Sequence, residues 1–227
     1  MMPSDGDAAS QAELFSPTEE NGVEAVERLG EGAVLLRGFV GADAERVLSD
    51  INAITELAPF RHMVTPNGAE MSVAMTNCGE LGWVSDRKGY RYAEIDPLSG
   101  QHWPPMPSSL LQLAVRAAGA GDFPAFTPDA CLINRYEAGA RLSLHQDRDE
   151  LDFTAPIVSA SLGLPAVFLW GGLQRTERPR RIRLESGDVV VWGGPARLVF
   201  HGIAPLAKGS HPLTGPFRIN LTFRKAR

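Results

Sequence analysis

A series of short strand-like segments in the C-terminal half is the strongest constraint on the fold of this chain. From residue 130 onward, apolar runs alternate with turns such as Ala-Gly, Ser-Gly-Asp and Gly-Gly-Pro. Eight segments have this character: Cys131–Tyr136, Leu142–Gln146, Ile157–Leu162, Val167–Trp170, Arg181–Leu184, Val189–Trp192, Leu198–Ile203 and Phe217–Lys225. Short strands with such turns are typical of a sandwich or barrel, and eight strands match a jelly roll. We therefore predict a mostly β fold with a jelly-roll core at 130–225.

Two helices and one further strand are predicted to flank this core. Apolar residues recur at helical spacing over 43–58 and 108–118, and Pro59 ends the first of these stretches. An apolar run at 33–40 has the character of a strand. Both apolar helix stripes are best explained as core packing.

The segment between the helices differs in composition from the rest of the chain. Residues 60–107 combine several aromatic residues with many glycines, prolines and polar residues, and contain one strand-like stretch at 72–78. Such a segment is typical of a lid over a binding site. We expect residues 1–22 to form a flexible N-terminal tail and residues 23–227 to form a single domain.

Composition excludes several classes of protein. No unbroken apolar run is long enough to span a bilayer, and the first 22 residues lack the basic flank and apolar segment of a signal peptide. We therefore expect no membrane association and a cytoplasmic location. Cys78 and Cys131 lie in strand-like apolar runs without a CxxC partner, which predicts two buried free thiols.

The last predicted strand separates polar from apolar residues by parity. Arg218, Asn220, Thr222 and Arg224 alternate with apolar residues in Phe217-Arg-Ile-Asn-Leu-Thr-Phe-Arg224. Because successive side chains of a strand point to opposite faces, one face can pack in the core while the other is cationic. A cationic face of this kind suits a dicarboxylate ligand.

A second segment combines ligand types that bind iron. His145 and Asp147 are two residues apart, about 6.6 Å along a strand, so their side chains can reach one metal ion. His201 follows several strands later and completes a set of two histidines and one carboxylate. Such a set, with open positions opposite, is typical of non-haem Fe(II) oxygenases.

The charge of the chain gives an ambiguous signal about nucleic acid. A net charge of -5 argues against a protein that coats nucleic acid through bulk attraction. Residues 175–183 nevertheless hold five arginines, with Glu177 as the single acid among them. This patch suits either a solvated hairpin edge that charge protects from aggregation or a local contact for nucleic acid.

Seven motifs spread over residues 33–225 resemble one known family. They are Met63-Val-Thr-Pro66, Met71-Ser-Val-Ala-Met-Thr-Asn-Cys78, Gly82-Trp83, Asp129-Ala-Cys-Leu-Ile-Asn-Arg-Tyr136, Leu142-Ser-Leu-His-Gln-Asp147, Gly187-Asp-Val-Val-Val-Trp-Gly-Gly194 and Asn220-Leu-Thr-Phe-Arg224. Together they resemble the AlkB family of Fe(II)- and 2-oxoglutarate-dependent dioxygenases. The resemblance implies a double-stranded β-helix core, the same architecture as the predicted jelly roll, and an N-terminal nucleotide-recognition lid.

The resemblance also implies roles for individual residues. The implied ligands of Fe(II) are His145, Asp147 and His201. The implied contacts of the co-substrate 2-oxoglutarate are Asn134, Tyr136, Arg218, Asn220 and Arg224. The implied substrate-binding residues are Trp83, Tyr90, Tyr92, Asp149 and Arg175, with the base held between Trp83 and His201.

The implied reaction is oxidative demethylation of N-alkylated bases. With Fe(II), 2-oxoglutarate and O2, 1-methyladenine or 3-methylcytosine would lose its methyl group as formaldehyde, with release of succinate and CO2. The expected partner is alkylated single-stranded DNA, with duplex DNA and RNA as further candidates, because the base must leave the stack to react. We expect a monomer that needs no obligate protein partner.

Three other functions are compatible with parts of this pattern. A dioxygenase with the same iron and co-substrate sites could act on a protein side chain or a small metabolite. A metal-containing β-sandwich could recognise modified nucleic acid without reacting, and a zinc hydrolase could use two histidines and one acid. Neither the non-catalytic reader nor the zinc hydrolase needs the arginines of the final strand. An assay for succinate formation distinguishes both of them from an oxygenase.

Overall fold

The computed structural model describes residues 25–227, so the tail predicted at 1–22 lies outside the described residues. Within 25–227 the chain forms fourteen β-strands and two α-helices. The strands are β1 Ala25–Gly30, β2 Ala33–Arg37, β3 Arg61–Val64, β4 Glu70–Gly79, β5 Gly82–Asp86, β6 Gly89–Ala93, β7 Ala130–Tyr136, β8 Leu142–His145, β9 Ile157–Gly163, β10 Ala166–Trp170, β11 Arg180–Leu184, β12 Val189–Trp192, β13 His201–Ile203 and β14 Arg218–Arg224. The helices are α1 Ala44–Leu57 and α2 Ser108–Ala120. The mostly β prediction with flanking helices is confirmed.

The strands form two facing sheets and a separate hairpin. The large sheet has eight strands in the order β1-β2-β12-β9-β14-β7-β4-β3, and the small sheet has four in the order β11-β10-β13-β8. Every pairing in these sheets is antiparallel, and β5 pairs with β6 outside both. No helix within residues 25–227 has both the length and the apolar character needed to cross a bilayer.

The two faces of the large sheet have different neighbours. On one face, buried side chains of β14 such as Leu221 and Phe223 pack in one cluster with Val47 and Ile51 of α1 and Leu110 of α2. The opposite face contributes to a second apolar cluster that includes the inward side chains of the small sheet. The helices therefore cover the outside of the large sheet, and the space between the two sheets is left for a site.

The segment predicted as a lid contributes both to the sheet and to the mouth of the site. Residues 70–79 form β4, which pairs with the central strand β7 and is buried from Val73 to Cys78. Two strands of the segment 60–107, β3 and β4, therefore belong to the large sheet, and the strand-like stretch expected at 72–78 lies within β4. The β5–β6 hairpin lies outside both sheets, as a lid would.

A glycine at the end of β9 gives a prediction about stability. Gly163 has a φ of +87°, and a Cβ there would overlap the Thr214 hydroxyl and lie 2.5 Å from the Phe217 carbonyl oxygen. Gly139 has nearly the same φ, +88°, with nothing within 4 Å of an added Cβ. We expect Gly163→Ala to lower the free energy of unfolding by about 3 kcal/mol and Gly139→Ala by about 1 kcal/mol in urea titrations. Equal losses would contradict the close packing at β9.

Candidate active site

A cavity of about 750 Å³ lies between the two sheets and carries most of the predicted site residues. The polar face of β14 lines one wall, and the ends of β8 and β13 line the other. Trp83 and Tyr90 of the β5–β6 hairpin lie at its mouth. The parity prediction for β14 agrees with the structure, because Arg218, Asn220, Thr222 and Arg224 all line this cavity.

The three predicted metal ligands converge in the cavity. His145 of β8 and His201 of β13 are cross-strand partners, with ring centroids 4.5 Å apart. His145 Nε2 lies 3.6 Å from Asp147 Oδ1, and His201 Nε2 lies 3.7 Å from Asp147 Oδ2. All three ligand atoms lie within 4.8 Å of one another, so one ion between them could be bound by all three.

The hydrogen bonds of the two histidines orient them for metal binding. His145 Nδ1 lies 2.8 Å from the carbonyl oxygen of Ser143, and His201 Nδ1 lies 3.0 Å from that of Val199. A carbonyl accepts a hydrogen bond, so each Nδ1 carries the proton and each Nε2 keeps a lone pair facing Asp147. Burial, aided by the charge of His145, lowers the pKa of His201 to about 4, which keeps that ring neutral at neutral pH.

Asp147 reaches the site from a loop rather than from a strand. Strand β8 ends at His145, so strand parity does not explain how the carboxylate is aimed. Arg197 Nη1 donates to the backbone carbonyl of Asp147 at 2.7 Å, and Arg224 Nη2 donates to Oδ2 at 2.7 Å. Burial alone would raise the pKa of Asp147, but the charge of Arg224 and its hydrogen bond to the carboxylate lower it overall. The carboxylate is therefore ionised and fixed.

Arg218 is the strongest sign of an anionic ligand deeper in the cavity. It is 1% exposed and donates from Nη2 to Ser161 Oγ at 3.0 Å, while Nε and Nη1 have no hydrogen-bond partner. No carboxylate of residues 25–227 forms an ion pair with it, and burial lowers its pKa. A buried guanidinium with free donors fits a carboxylate of 2-oxoglutarate.

Neighbouring side chains complete this pocket. Tyr136 lies opposite Arg218 in the β7–β14 pairing, with the guanidinium carbon 4.9 Å from its ring centroid. Asn134 lies opposite Asn220, and the Oδ1 atom of Asn134 is buried without a partner. The predicted co-substrate residues therefore form one polar pocket beside the metal site.

Arg224 differs from Arg218 because it already has acidic partners. In addition to its hydrogen bonds with Asp147, its Nε atom lies 3.4 Å from Glu150 Oε1. Burial lowers the pKa of Arg224, but the neighbouring acidic groups, Asp147 first and then Tyr92 and Glu150, together outweigh this effect and raise the pKa. Arg218 and Arg224, both predicted to contact 2-oxoglutarate, are thus not equivalent, because Arg224 binds the loop that carries Asp147.

The mouth of the cavity carries an aromatic platform with an acidic edge. The rings of Trp83 and Tyr90 stack with centroids 5.6 Å apart and planes 13° from parallel. Trp83 Nε1 donates to Asp149 Oδ2 at 2.8 Å, and Arg175 lines the rim as an exposed side chain. Four predicted substrate-binding residues therefore meet at one place.

Tyr92 does not join them, although it was predicted to bind substrate. It is not among the residues that line the cavity, and its hydroxyl donates to Glu150 Oε1 at 2.6 Å. Burial raises the pKa of Tyr92 well above its usual value. The residue opposes Trp83 across the hairpin and supports it from outside the cavity.

The sequence prediction missed two buried residues that connect this network. Glu150 is 5% exposed, and Arg197 Nη2 donates to its Oε2 at 2.9 Å. Glu150 follows two other acids in Asp147-Arg-Asp-Glu150, and nothing in that run distinguishes a buried carboxylate from an exposed one. Arg197 lies in a loop and is likewise not marked by any pattern.

The role of Tyr92 can be tested by removing its hydroxyl. We expect Tyr92→Phe to lower the free energy of unfolding by about 1–2 kcal/mol, because Glu150 loses a buried hydrogen bond. The KM for a methylated oligonucleotide should change less than about twofold, since the side chain lies outside the cavity. Tyr90→Phe, at an exposed position of the same strand, is the control for stability. A large rise in KM with unchanged stability would restore substrate binding as the role of Tyr92.

Comparisons with known proteins agree with this geometry. Residues 32–224 match the family model of the 2OG-Fe(II) oxygenase superfamily. The chain is 59% identical over 200 residues to the alpha-ketoglutarate-dependent dioxygenase AlkB of Escherichia coli, covering 88% of this chain and 93% of that protein. It is 38% identical over 125 residues to the human nucleic acid dioxygenase ALKBH1, covering 55% of this chain and 32% of that protein. It is also similar to the solved structure of OsALKBH1, with a TM-score of 0.77 and 30% identity over 88% of this chain and 100% of that one.

These similarities establish the class of enzyme and its requirements. The superfamily requires Fe(II), 2-oxoglutarate and O2, so the cofactor prediction is confirmed. The His-Asp-His cluster fits the iron, and the free donors of Arg218 fit the co-substrate. The chain belongs to the AlkB family of the 2OG-Fe(II) oxygenase superfamily and is a 2-oxoglutarate-dependent dioxygenase.

Proposed function

We propose that this dioxygenase demethylates N-alkylated bases, 1-methyladenine and 3-methylcytosine, in DNA. The observation that carries the proposal is the cavity itself, which has the His145-Asp147-His201 cluster inside and the Trp83–Asp149 pair at its mouth. The relatives named above, an AlkB dioxygenase and a nucleic acid dioxygenase, support a nucleic-acid substrate.

The chemistry of the reaction assigns work to the residues of the chain. Iron, O2 and 2-oxoglutarate supply the oxidation: one oxygen atom enters a methyl C–H bond of the base, and 2-oxoglutarate becomes succinate and CO2. The bond between the base nitrogen and the hydroxymethyl carbon then breaks: its electron pair stays on the nitrogen, the hydroxyl proton is released to water, and the carbon leaves as formaldehyde. Asp147 and the two histidines hold the metal, while Arg218 fixes the co-substrate carboxylate.

The mouth of the cavity suits a methylated base. Trp83 offers a flat π surface, and stacking accepts any base. 1-Methyladenine and 3-methylcytosine carry a positive charge, which Asp149 and the aromatic face both favour. The base must be unpaired to enter, so the proposed preference is for single-stranded DNA, with RNA and flipped bases in duplex as further substrates.

The proposal extends to the setting of the reaction. Cys78 and Cys131 face each other across β4 and β7 as free thiols, which is compatible with a reducing cytoplasm. We propose a cytoplasmic enzyme that acts as a monomer, because one chain carries a complete set of metal ligands together with the polar pocket around Arg218.

The proposal is tested by mass spectrometry of a short single-stranded DNA that carries 3-methylcytosine. The oligonucleotide is incubated with protein, Fe(II), 2-oxoglutarate, ascorbate and air, beside a control without 2-oxoglutarate and beside matched RNA and duplex. We expect loss of one methylene mass in the complete mixture alone. Succinate release without loss of mass from any of the three would indicate a protein or metabolite substrate. No succinate and no loss of mass would favour a non-catalytic reader of modified nucleic acid.

A further inference from the structure

A second depression lies on the outer side of the small sheet, next to the mouth of the cavity. Its volume is about 400 Å³. Its lining is formed by Arg141, Leu142, Ser143, Leu144, Leu169, Arg175, Arg181, Ile203, Ala204 and Pro205. We call this depression the outer groove. Four of these residues, Leu169, Arg181, Ala204 and Pro205, line the outer groove without lining the catalytic cavity.

The outer groove is positively charged without compensation. Three arginines, Arg141, Arg175 and Arg181, line it and no acidic residue does. All three are exposed, and none forms an ion pair with an acid of residues 25–227. In contrast, Arg183 on the same face of the same strand is paired with Glu185. In an acidic chain, free guanidinium groups collected in one groove suit phosphate groups.

The floor of the outer groove is apolar. Leu169 of β10 is the cross-strand partner of Arg181 and is half-buried on the outer face, with Ala204 and Pro205 beside it. A partner that fits must therefore present anionic groups to the arginines and less polar groups to the floor. A polynucleotide strand does so, because its phosphates alternate with sugars and bases.

The outer groove is continuous with the catalytic cavity. Arg141, the segment 142–144 and Arg175 line both. If one nucleotide of a polynucleotide occupies the cavity, the adjoining part of its backbone therefore lies next to the outer groove. We propose that the outer groove binds the backbone of the substrate strand beyond the target nucleotide, with Arg181 at its far end. This inference rests on the proposed nucleic-acid substrate. It assigns two arginines of the basic patch at 175–183, Arg175 and Arg181, to binding of the substrate strand.

The test compares Arg181→Ala with Arg183→Ala. Both remove one exposed arginine from the same face of β11, but Arg183 lies outside the outer groove and is already paired. Fluorescence anisotropy with an unmodified single-stranded oligonucleotide should show about tenfold weaker binding for Arg181→Ala, which corresponds to about 1.4 kcal/mol. The slope of log affinity against log salt should also become shallower by about 0.7. Arg183→Ala should leave both quantities unchanged.

A short substrate separates the outer groove from the cavity. A methylated mononucleotide has no backbone beyond the target nucleotide, so Arg181→Ala should demethylate it like the unchanged protein and lose efficiency with a longer strand. Equal effects of the two variants would overturn the proposal, since bulk charge would then explain the binding. Weaker binding to duplex alone, with single strands unaffected, would overturn it in favour of a contact with the opposite strand.

Failure of the proposed function would be recognised separately. If the unchanged protein demethylates neither substrate, the proposed function fails, while the comparison of binding by the two variants still decides whether the outer groove holds a strand. Melting temperatures of both variants should match that of the unchanged protein, because neither side chain is buried. Arg181→Glu should weaken binding further than Arg181→Ala, and failure to do so would also count against the proposal.

Discussion

Asp147→Ala should abolish succinate and formaldehyde formation while leaving binding of a methylated oligonucleotide within about threefold of the unchanged protein. The carboxylate lies between His145 and His201 and is the single acidic member of the cluster, so two neutral imidazoles remain to hold the iron. Trp83 and Asp149, to which the proposed function assigns the base, are left in place. Turnover should fall at least about a thousandfold, because the oxidation depends on the metal.

Stability must be controlled in this experiment because Asp147 also neutralises a buried arginine. Its removal leaves Arg224 with Glu150 at 3.4 Å as the nearest acid, and we expect a loss of about 2–3 kcal/mol in the free energy of unfolding. Asp147→Asn keeps an oxygen acceptor for Arg224 and should cost less stability, yet turnover should still be lost.

A nearby acid provides the matched control. Asp152 lies five positions along the same loop, accepts hydrogen bonds from Thr154 and takes no part in the metal cluster. Asp152→Asn should retain turnover. Calorimetry measures the binding of Mn(II) to each metal-free variant. The affinity should be weakened by the changes at Asp147 and not by the change at Asp152. Turnover by Asp147→Ala at the level of Asp152→Asn would remove Asp147 from the metal site.

The predictable parts of the site are those where strand periodicity and chemistry coincide. On β14, a period of two assigns every side chain to a face without tertiary information, and the cavity indeed receives the polar set. The two helices were likewise predictable, because apolar residues at helical spacing indicate a helix that packs one face against the core.

Other parts of the site depend on long-range contacts that no local pattern records. Asp147 is aimed by Arg197 and Arg224, which are 50 and 77 positions away in the chain. The position of Tyr92 outside the cavity depends on its hydrogen bond to the buried Glu150. The sequence around Glu150 does not distinguish it from an exposed acid. The same holds for the segment 60–107, because a local pattern predicts the strand at 72–78 but not its pairing with β7 in the large sheet.

Arg218→Met should have opposite effects on the protein without and with its co-substrate. Without 2-oxoglutarate, we expect the free energy of unfolding to rise by about 1–3 kcal/mol, because the change removes a buried cation whose Nε and Nη1 have no partner. With 2-oxoglutarate, the KM for that compound should increase at least about a hundredfold, since its carboxylate would be buried without a counter-charge. Thermal unfolding and succinate assays measure the two effects.

Arg135 supplies the control for this pair of effects. It precedes Tyr136 on β7 and therefore lies on the opposite face, where its guanidinium packs 4.9 Å from the ring centroids of both Phe60 and Phe217. Arg135→Met should leave the KM for 2-oxoglutarate unchanged. Under anaerobic conditions with Fe(II), a hundredfold excess of 2-oxoglutarate over its Kd should stabilise the Arg135 variant by about 2.7 kcal/mol and barely stabilise the Arg218 variant. If Arg218→Met instead lost stability without ligand and kept its affinity for 2-oxoglutarate, the guanidinium would be a structural group, and the co-substrate carboxylate would have to be bound elsewhere in the cavity.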